Sequence, residues 1–147
     1  MSYEGLIGKE YPVFSGAIET GRIRQFANAI GETDPVYTDE QAASDAGYSS
    51  IPAPPTFPYS LTMDAGQSFN VLDDMGVPVS RAVHGAQGFT YQLPVCAGDT
   101  LTGVQKVTNI FEKKGGALLF IETEINMVNQ NGERVCDLQS TVIVRND

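Results

Sequence analysis

Apolar residues recur with two different periods along this chain, and the first third has the period of a helix. Between residues 20 and 30, four apolar residues recur at spacings of three and four: Ile23, Phe26, Ala27 and Ile30. This spacing places them on one face of a helix, and Gly31 follows where a left-handed residue usually ends one. The pattern predicts an amphipathic helix over residues 20–30, with a strand over 11–18 before it and a shorter helix over 39–46 after it.

The last third of the chain has the period of a strand instead. Strand-like runs cover four ranges: 87–95, 101–111, 117–129 and 133–144. Within 117–129, apolar or β-branched residues alternate with acidic and amide residues, as expected for a strand with one buried face. The pairs Gly115-Gly116 and Asn131-Gly132 separate the last three runs and are strong signals for tight hairpins. The pattern therefore predicts an antiparallel meander.

The middle of the chain joins these two parts through a proline-rich loop. Residues 48–57 contain Pro52, Pro54 and Pro55, which lack backbone donors and exclude a helix or a central strand there. Residues 59–69 are apolar and predict a buried helix that starts from this loop. Long strands with one face to cover favour an α+β fold, in which a curved antiparallel sheet wraps the central helix, over a parallel α/β fold.

Composition and charge narrow the class of protein. The 147 residues are 41% hydrophobic and carry a formal charge of −9, which fits one globular domain over 1–147 and disfavours binding to nucleic acid or membrane surfaces. No apolar run approaches the length of a spanning helix, so we expect a soluble, cytoplasmic protein. Cys96, Cys136 and the single histidine, His84, form no metal-binding pattern, and we expect both thiols to be reduced packing residues.

Three stretches of the chain resemble the MaoC-like hydratase/dehydratase family of the hot-dog superfold. They are GETDPVYTD at 31–39, APPTF at 53–57 and YQLPVCAGDTL at 91–101. The resemblance covers nearly the whole chain and is closest to the N-terminal-type dehydratase domains, which include the non-catalytic subunit of mycobacterial hydroxyacyl-carrier-protein dehydratases. It implies a long antiparallel sheet around one helix. It also implies edge-to-edge pairing, as a homodimer or as a heterodimer with a MaoC-like subunit.

The resemblance also implies a reaction, and this chain departs from the family at the residues that perform it. Members add or remove water at the α,β position of an acyl thioester carried by coenzyme A or acyl carrier protein, with no other cofactor. An Asp and a His in a Gly-Asp-x-Asn-Pro-x-His stretch act as base and acid. Here Glu32 stands at the Asp position, Asp34 at the Asn position and Tyr37 at the His position. These residues are either an unusual Glu32/Tyr37 dyad or a loop that keeps the shape without the chemistry.

The substrate-binding residues that the family implies lie at the start of the buried helix. After Pro55, the amides of Thr56 and Phe57 would polarise the thioester carbonyl, unless the stretch is only an entry turn. Apolar residues that follow would wall an acyl channel, or form plain core: Leu61, Met63, Phe69, Val71 and Leu72. His84 would approach a partner's site or serve as a structural residue.

Three functions therefore compete. The leading one is a hydratase/dehydratase domain, acting either as a weakened catalyst or as the substrate-channel subunit of a heteromer. The second is a hot-dog thioesterase, for which Asp64 in the buried helix is the candidate carboxylate, and the third is a non-catalytic subunit that holds acyl thioesters. Arg22, Arg24 and Arg81 are candidates for the phosphates of coenzyme A, or simply solvated residues.

Overall fold

The computed structural model describes residues 2–146, which form one six-stranded sheet in which every pair of neighbours is antiparallel. The strand order is β1-β3-β5-β6-β2, with β4 beside β5. This arrangement confirms the predicted antiparallel α+β class. The strands are β1 Phe14–Ala17, β2 Ala82–Tyr91, β3 Thr100–Gly103, β4 Gln105–Lys113, β5 Leu118–Val128 and β6 Arg134–Arg145.

Three predicted strands differ from the observed ones. The strand predicted over 11–18 is shorter, because β1 covers only Phe14–Ala17. The run over 101–111 is divided at Val104 into β3 and β4, but Thr102 faces Val128 and Gln105 faces Ile125, so both pieces keep one register against β5. The run over 87–95 was placed too far along the chain, because β2 already starts at Ala82. The register of β2 against β6 shifts between His84 and Ala86, and this irregularity interrupts the pattern that marks a strand.

Four helices lie among the described residues: α1 Thr20–Ala29, α2 Glu40–Asp45, α3 Tyr59–Asp64 and α4 Asn70–Met75. The first two confirm the predicted helices. The buried helix predicted over 59–69 is too long, because α3 ends at Asp64, Gly66 adopts a left-handed φ of +68°, and the next helix, α4, starts only at Asn70. The longest helix has ten residues, and none within 2–146 is long and apolar enough to cross a membrane.

The two halves of this broken helix cover opposite ends of the sheet. Phe57 and Leu61 pack with Ile125 and Met127 in one buried cluster. The second cluster joins α4 to the other end of the same strands: Val71, Leu72, Met75, Leu119, Ile121 and Val144. Alternate side chains of β5 are buried from Leu119 to Met127, which confirms the alternation seen in the sequence.

β2 forms one edge of the sheet and pairs only with β6. Most of its side chains are exposed or only partly buried, and Val83 is 43% exposed. Cys96 and Cys136 are buried free thiols, as predicted. The edge of the sheet at β2 is thus open to further hydrogen bonding, and the described residues contain no disulfide.

Candidate functional site

A cavity of about 300 Å³ lies where the 31–39 loop, the proline-rich loop and the end of β2 meet. It brings together Tyr37 and Pro55, two predicted site residues from separate motifs. Its lining is mostly aromatic and proline-rich: Tyr37, Tyr48, Pro52, Ala53, Pro55, Tyr91, Gln92, Leu93, Pro94 and Val95. Cavities of this size with few polar groups are typical small-molecule sites.

Glu32 does not line this cavity and is engaged by its own loop. Gly31 ends α1 with a left-handed φ of +73°, which turns the chain so that the Glu32 carboxylate faces the following amides. The amides of Thr33 and Asp34 both donate to Glu32 Oε1 at 2.9 Å, and the Val36 amide donates to Asp34 Oδ1 at 3.0 Å. Both carboxylates therefore brace the loop, as short polar side chains do at turns and helix starts.

Tyr37 is partly buried and lines the cavity wall. Burial is the main factor that raises the pKa of its phenol above the usual value, and the nearby Glu32 carboxylate, Tyr48 and Asp34 raise it further. A phenol with a raised pKa stays protonated at neutral pH. Tyr37 is therefore able to donate a hydrogen bond into the cavity but unsuited to accept a proton as a base.

The loop that opens the central helix offers one predicted donor and not the other. The Phe57 amide already donates to Pro54 O at 2.9 Å, and its side chain is 1% exposed and packs edge-on against Phe26 with ring centroids 5.3 Å apart. The predicted pair of free amides is therefore corrected to a single candidate. The Thr56 amide donates no hydrogen bond within residues 2–146, and Thr56 is exposed.

Tyr91 is a residue of this site that the sequence analysis missed. Its hydroxyl donates to Pro55 O at 2.6 Å and so fixes the proline-rich loop to the end of β2. Burial of the ring is the main cause of its strongly raised pKa, so the hydroxyl remains a donor. The available signal was its position at the start of the 91–101 motif, where it is the last residue of β2.

The residues predicted to wall an acyl channel are not brought together. Leu61 is 2% exposed in one core cluster, whereas Val71 and Leu72 belong to the other. Phe69 is 49% exposed and Met63 is 61% exposed. The break in the central helix separates these side chains, because residues after Gly66 no longer continue the face that Leu61 occupies.

The sequence of this chain matches a known protein family and its members. The family model for the FAS1-like dehydratase domain region matches residues 5–138. The chain belongs to this family. A curated relative, a UPF0336 protein from Saccharopolyspora erythraea, is 40% identical over 97% of this chain and 90% of its own length.

Solved structures of dehydratases have the same fold as this chain. A MaoC-like dehydratase superposes with a TM-score of 0.87 at 26% identity, over 98% of this chain and 43% of that one. The HadBC complex, a 3R-hydroxyacyl-ACP dehydratase from Mycobacterium tuberculosis, gives 0.77 at 24% identity over 93% and 96%. These likenesses confirm the hot-dog fold and the MaoC-like resemblance.

The remaining candidates of this dehydratase-family chain lie outside the Tyr37 cavity. His84 is exposed on β2, with its Nδ1 3.3 Å from the Tyr59 hydroxyl. Asp64 forms an ion pair with Arg22 at 2.5 Å, and the Arg22 guanidinium also lies over the Phe57 ring. The Asp64 carboxylate thus already pairs with the Arg22 guanidinium, which was a candidate for binding coenzyme A phosphates. Asp64 is exposed, so its position gives no support to a thioesterase role.

Proposed function

We propose that this chain is the substrate-binding subunit of an acyl-thioester hydratase/dehydratase, whose partner supplies the acid–base pair. The acyl group would be carried by coenzyme A or acyl carrier protein. The observation that carries the proposal is the state of the two dyad positions: the Glu32 carboxylate is bound by two amides of its own loop, and Tyr37 is a protonated phenol in an apolar wall.

General acid–base catalysis of water addition needs a group that changes protonation near the operating pH. The Tyr37 phenol, with a pKa raised above its usual value of about 10, is far from that range. Glu32 does not line the cavity, and its Oε1 accepts two hydrogen bonds from its own loop, which supports a structural role for this carboxylate. The exposed Thr56 amide, which follows the cavity residue Pro55 in the chain, is the donor that would face a thioester carbonyl.

A MaoC-like partner fits the open edge of the sheet. An unpaired strand presents a row of backbone donors and acceptors, and pairing it with a second sheet removes this liability. β2 is such an edge, and it ends at Tyr91 beside the Tyr37 cavity. Among the structural neighbours, HadBC and ChsH1-ChsH2 from Mycobacterium tuberculosis are complexes by name, which is consistent with a two-chain assembly for this protein.

The test follows the loss of enone absorbance when crotonyl-coenzyme A is hydrated. We expect no turnover by the chain alone, and turnover when it is mixed with a MaoC-like subunit that has the intact Gly-Asp-x-Asn-Pro-x-His stretch. Glu32→Gln should leave the activity of that mixture nearly unchanged and Tyr37→Phe should change KM rather than kcat, whereas replacing the partner's Asp should abolish activity.

Two results would contradict the proposal in different ways. Robust turnover by the chain alone, lost in Glu32→Gln or Tyr37→Phe, would identify a catalyst with an unusual dyad. Failure to bind any acyl thioester in calorimetry, with or without the partner, would remove the substrate-binding role as well.

A further inference from the structure

A second, much smaller cavity lies under the break between α3 and α4, against the face of the sheet that the helices cover. Its volume is about 20 Å³, and it shares no lining residue with the Tyr37 cavity. Seven of its ten lining residues have polar side chains, and the other three are aliphatic: Tyr59, Thr62, Ser68, Val71, His84, Gln105, Thr123, Ile125, Ser140 and Val142. A polar pocket inside the core is unusual, because buried polar groups are normally paired.

Two oxygen atoms in this cavity have no hydrogen-bond partner among residues 2–146. One is Oε1 of Gln105, a residue that is only 9% exposed, and the other is Oγ of Ser68 in the helix break. The amide nitrogen of Gln105 does have a partner, since it donates to Thr123 Oγ1 at 3.5 Å. The unpaired carbonyl oxygen of Gln105 therefore needs a donor.

The neighbouring hydroxyls are already engaged. Thr62 Oγ1 donates to Tyr59 O at 2.6 Å, and Ser140 Oγ donates to Gln87 Oε1 at 2.6 Å. On the side of β2, the Tyr59 hydroxyl lies 3.3 Å from Nδ1 of the exposed His84. The protons of the Thr62 and Ser140 hydroxyls are therefore not available to Gln105 Oε1.

We propose that this cavity binds a single hydroxyl-sized group, which donates to Gln105 Oε1 and accepts from Ser68 Oγ. Its volume is that of one water molecule, and a water needs two or more polar partners to remain buried. A carboxylate would set an acceptor against the Gln105 carbonyl, and an alkyl group would leave both oxygens unpaired. Two sources supply the right chemistry: solvent water, or a hydroxyl at the end of an acyl chain.

The first test identifies the occupant of the free chain. A high-resolution crystal structure should show one ordered oxygen within about 3.2 Å of both Gln105 Oε1 and Ser68 Oγ. NMR should show a water cross-peak to the Gln105 side-chain amide. A cavity without ordered solvent and without this cross-peak would overturn the proposal.

Thermal unfolding gives a second test whose sign distinguishes the two cases. Gln105→Met keeps the side-chain length but removes the amide. If the site is occupied, the bound group loses a partner and Tm falls by about 2–4 °C, with a similar fall for Ser68→Ala. If the carbonyl is simply unpaired, Gln105→Met raises Tm, which overturns the proposal. Gln25→Met, on the exposed face of α1, is the matched control and should leave Tm nearly unchanged.

The possibility that an acyl-chain hydroxyl occupies this cavity rests on the proposed function, and a separate experiment tests it. Calorimetry would compare decanoyl-coenzyme A with isomers that carry a hydroxyl beyond C3. We expect one isomer to bind about two- to tenfold more tightly, with the preference lost in Gln105→Met. Equal affinities would leave water as the sole occupant and overturn the acyl source. Failure of every thioester to bind would refute the proposed function, while the solvent and Tm results would stand.

Discussion

Gly16 in β1 lies beneath Leu61 of α3, and this contact gives a prediction that can be worked out in magnitude. A Cβ at position 16 would lie 2.8 Å from Leu61 Cδ2. Carbon atoms pack best at about 3.5–4.0 Å, so the added methyl overlaps the leucine. We expect Gly16→Ala to lower the free energy of unfolding by about 1–3 kcal/mol through overpacking. Leu61→Ala should cost about 2–5 kcal/mol, because Leu61 is 2% exposed.

The double variant tests whether this contact is the cause. In Gly16→Ala/Leu61→Ala the new methyl enters the space that the leucine leaves, so the combined cost should be smaller than the sum by more than about 0.5 kcal/mol. Urea unfolding followed by circular dichroism measures all three variants. Gly21→Ala in α1 is the control, since nothing lies within 4 Å of its Cβ, and it should stabilise by about 0.5 kcal/mol. Additive costs of the two single variants would refute the packing argument.

Three further predictions concern the site and the core. Tyr91→Phe removes the hydrogen bond to Pro55 O and should lower stability by about 0.5–1.5 kcal/mol, with faster proteolysis of the proline-rich loop. Burial alone would raise the pKa of the Asp137 carboxyl, but its hydrogen bonds outweigh burial and hold the pKa below the usual value. Its stabilisation is therefore present above about pH 4 and lost as pH falls further, and Asp137→Asn should flatten the acid limb of an unfolding titration. Burial raises the pKa of the Cys136 thiol to about 11, so iodoacetamide should label it at pH 7 only after unfolding, as mass spectrometry would show.

Elements with a complete local signal were predicted well from the sequence. The helix before Gly31 has both an apolar face and a glycine that adopts the left-handed conformation. β5 alternates without interruption because one face packs on the helices. The helix break at Gly66 and the early start of β2 were not predictable in the same way. Both depend on how distant segments pack, and the apolar run over 59–69 continues past Asp64, where α3 ends.

In the candidate site, too, the motif positions were predictable from the sequence but the contacts between them were not. The motif alignment placed Glu32 and Tyr37 at the dyad positions, but no pattern reveals that the Glu32 carboxylate turns back onto two amides of its own loop. The contribution of Tyr91 was missed because its partner, Pro55 O, is a backbone atom 36 positions away. A carbonyl in a loop leaves no trace in residue type, so only coordinates bring such a pair together.

The position of β1 in the sheet has a consequence for how the chain folds. The Ser15 hydroxyl bonds to Leu101 O, which lies 86 positions further along the chain. By contrast, β4, β5 and β6 are joined through short hairpins and close only small loops. During synthesis β1 therefore cannot pair until β3 has left the ribosome. The hairpins of β4, β5 and β6 pair with one another and do not need β1. Folding should thus begin at the end of the chain made last.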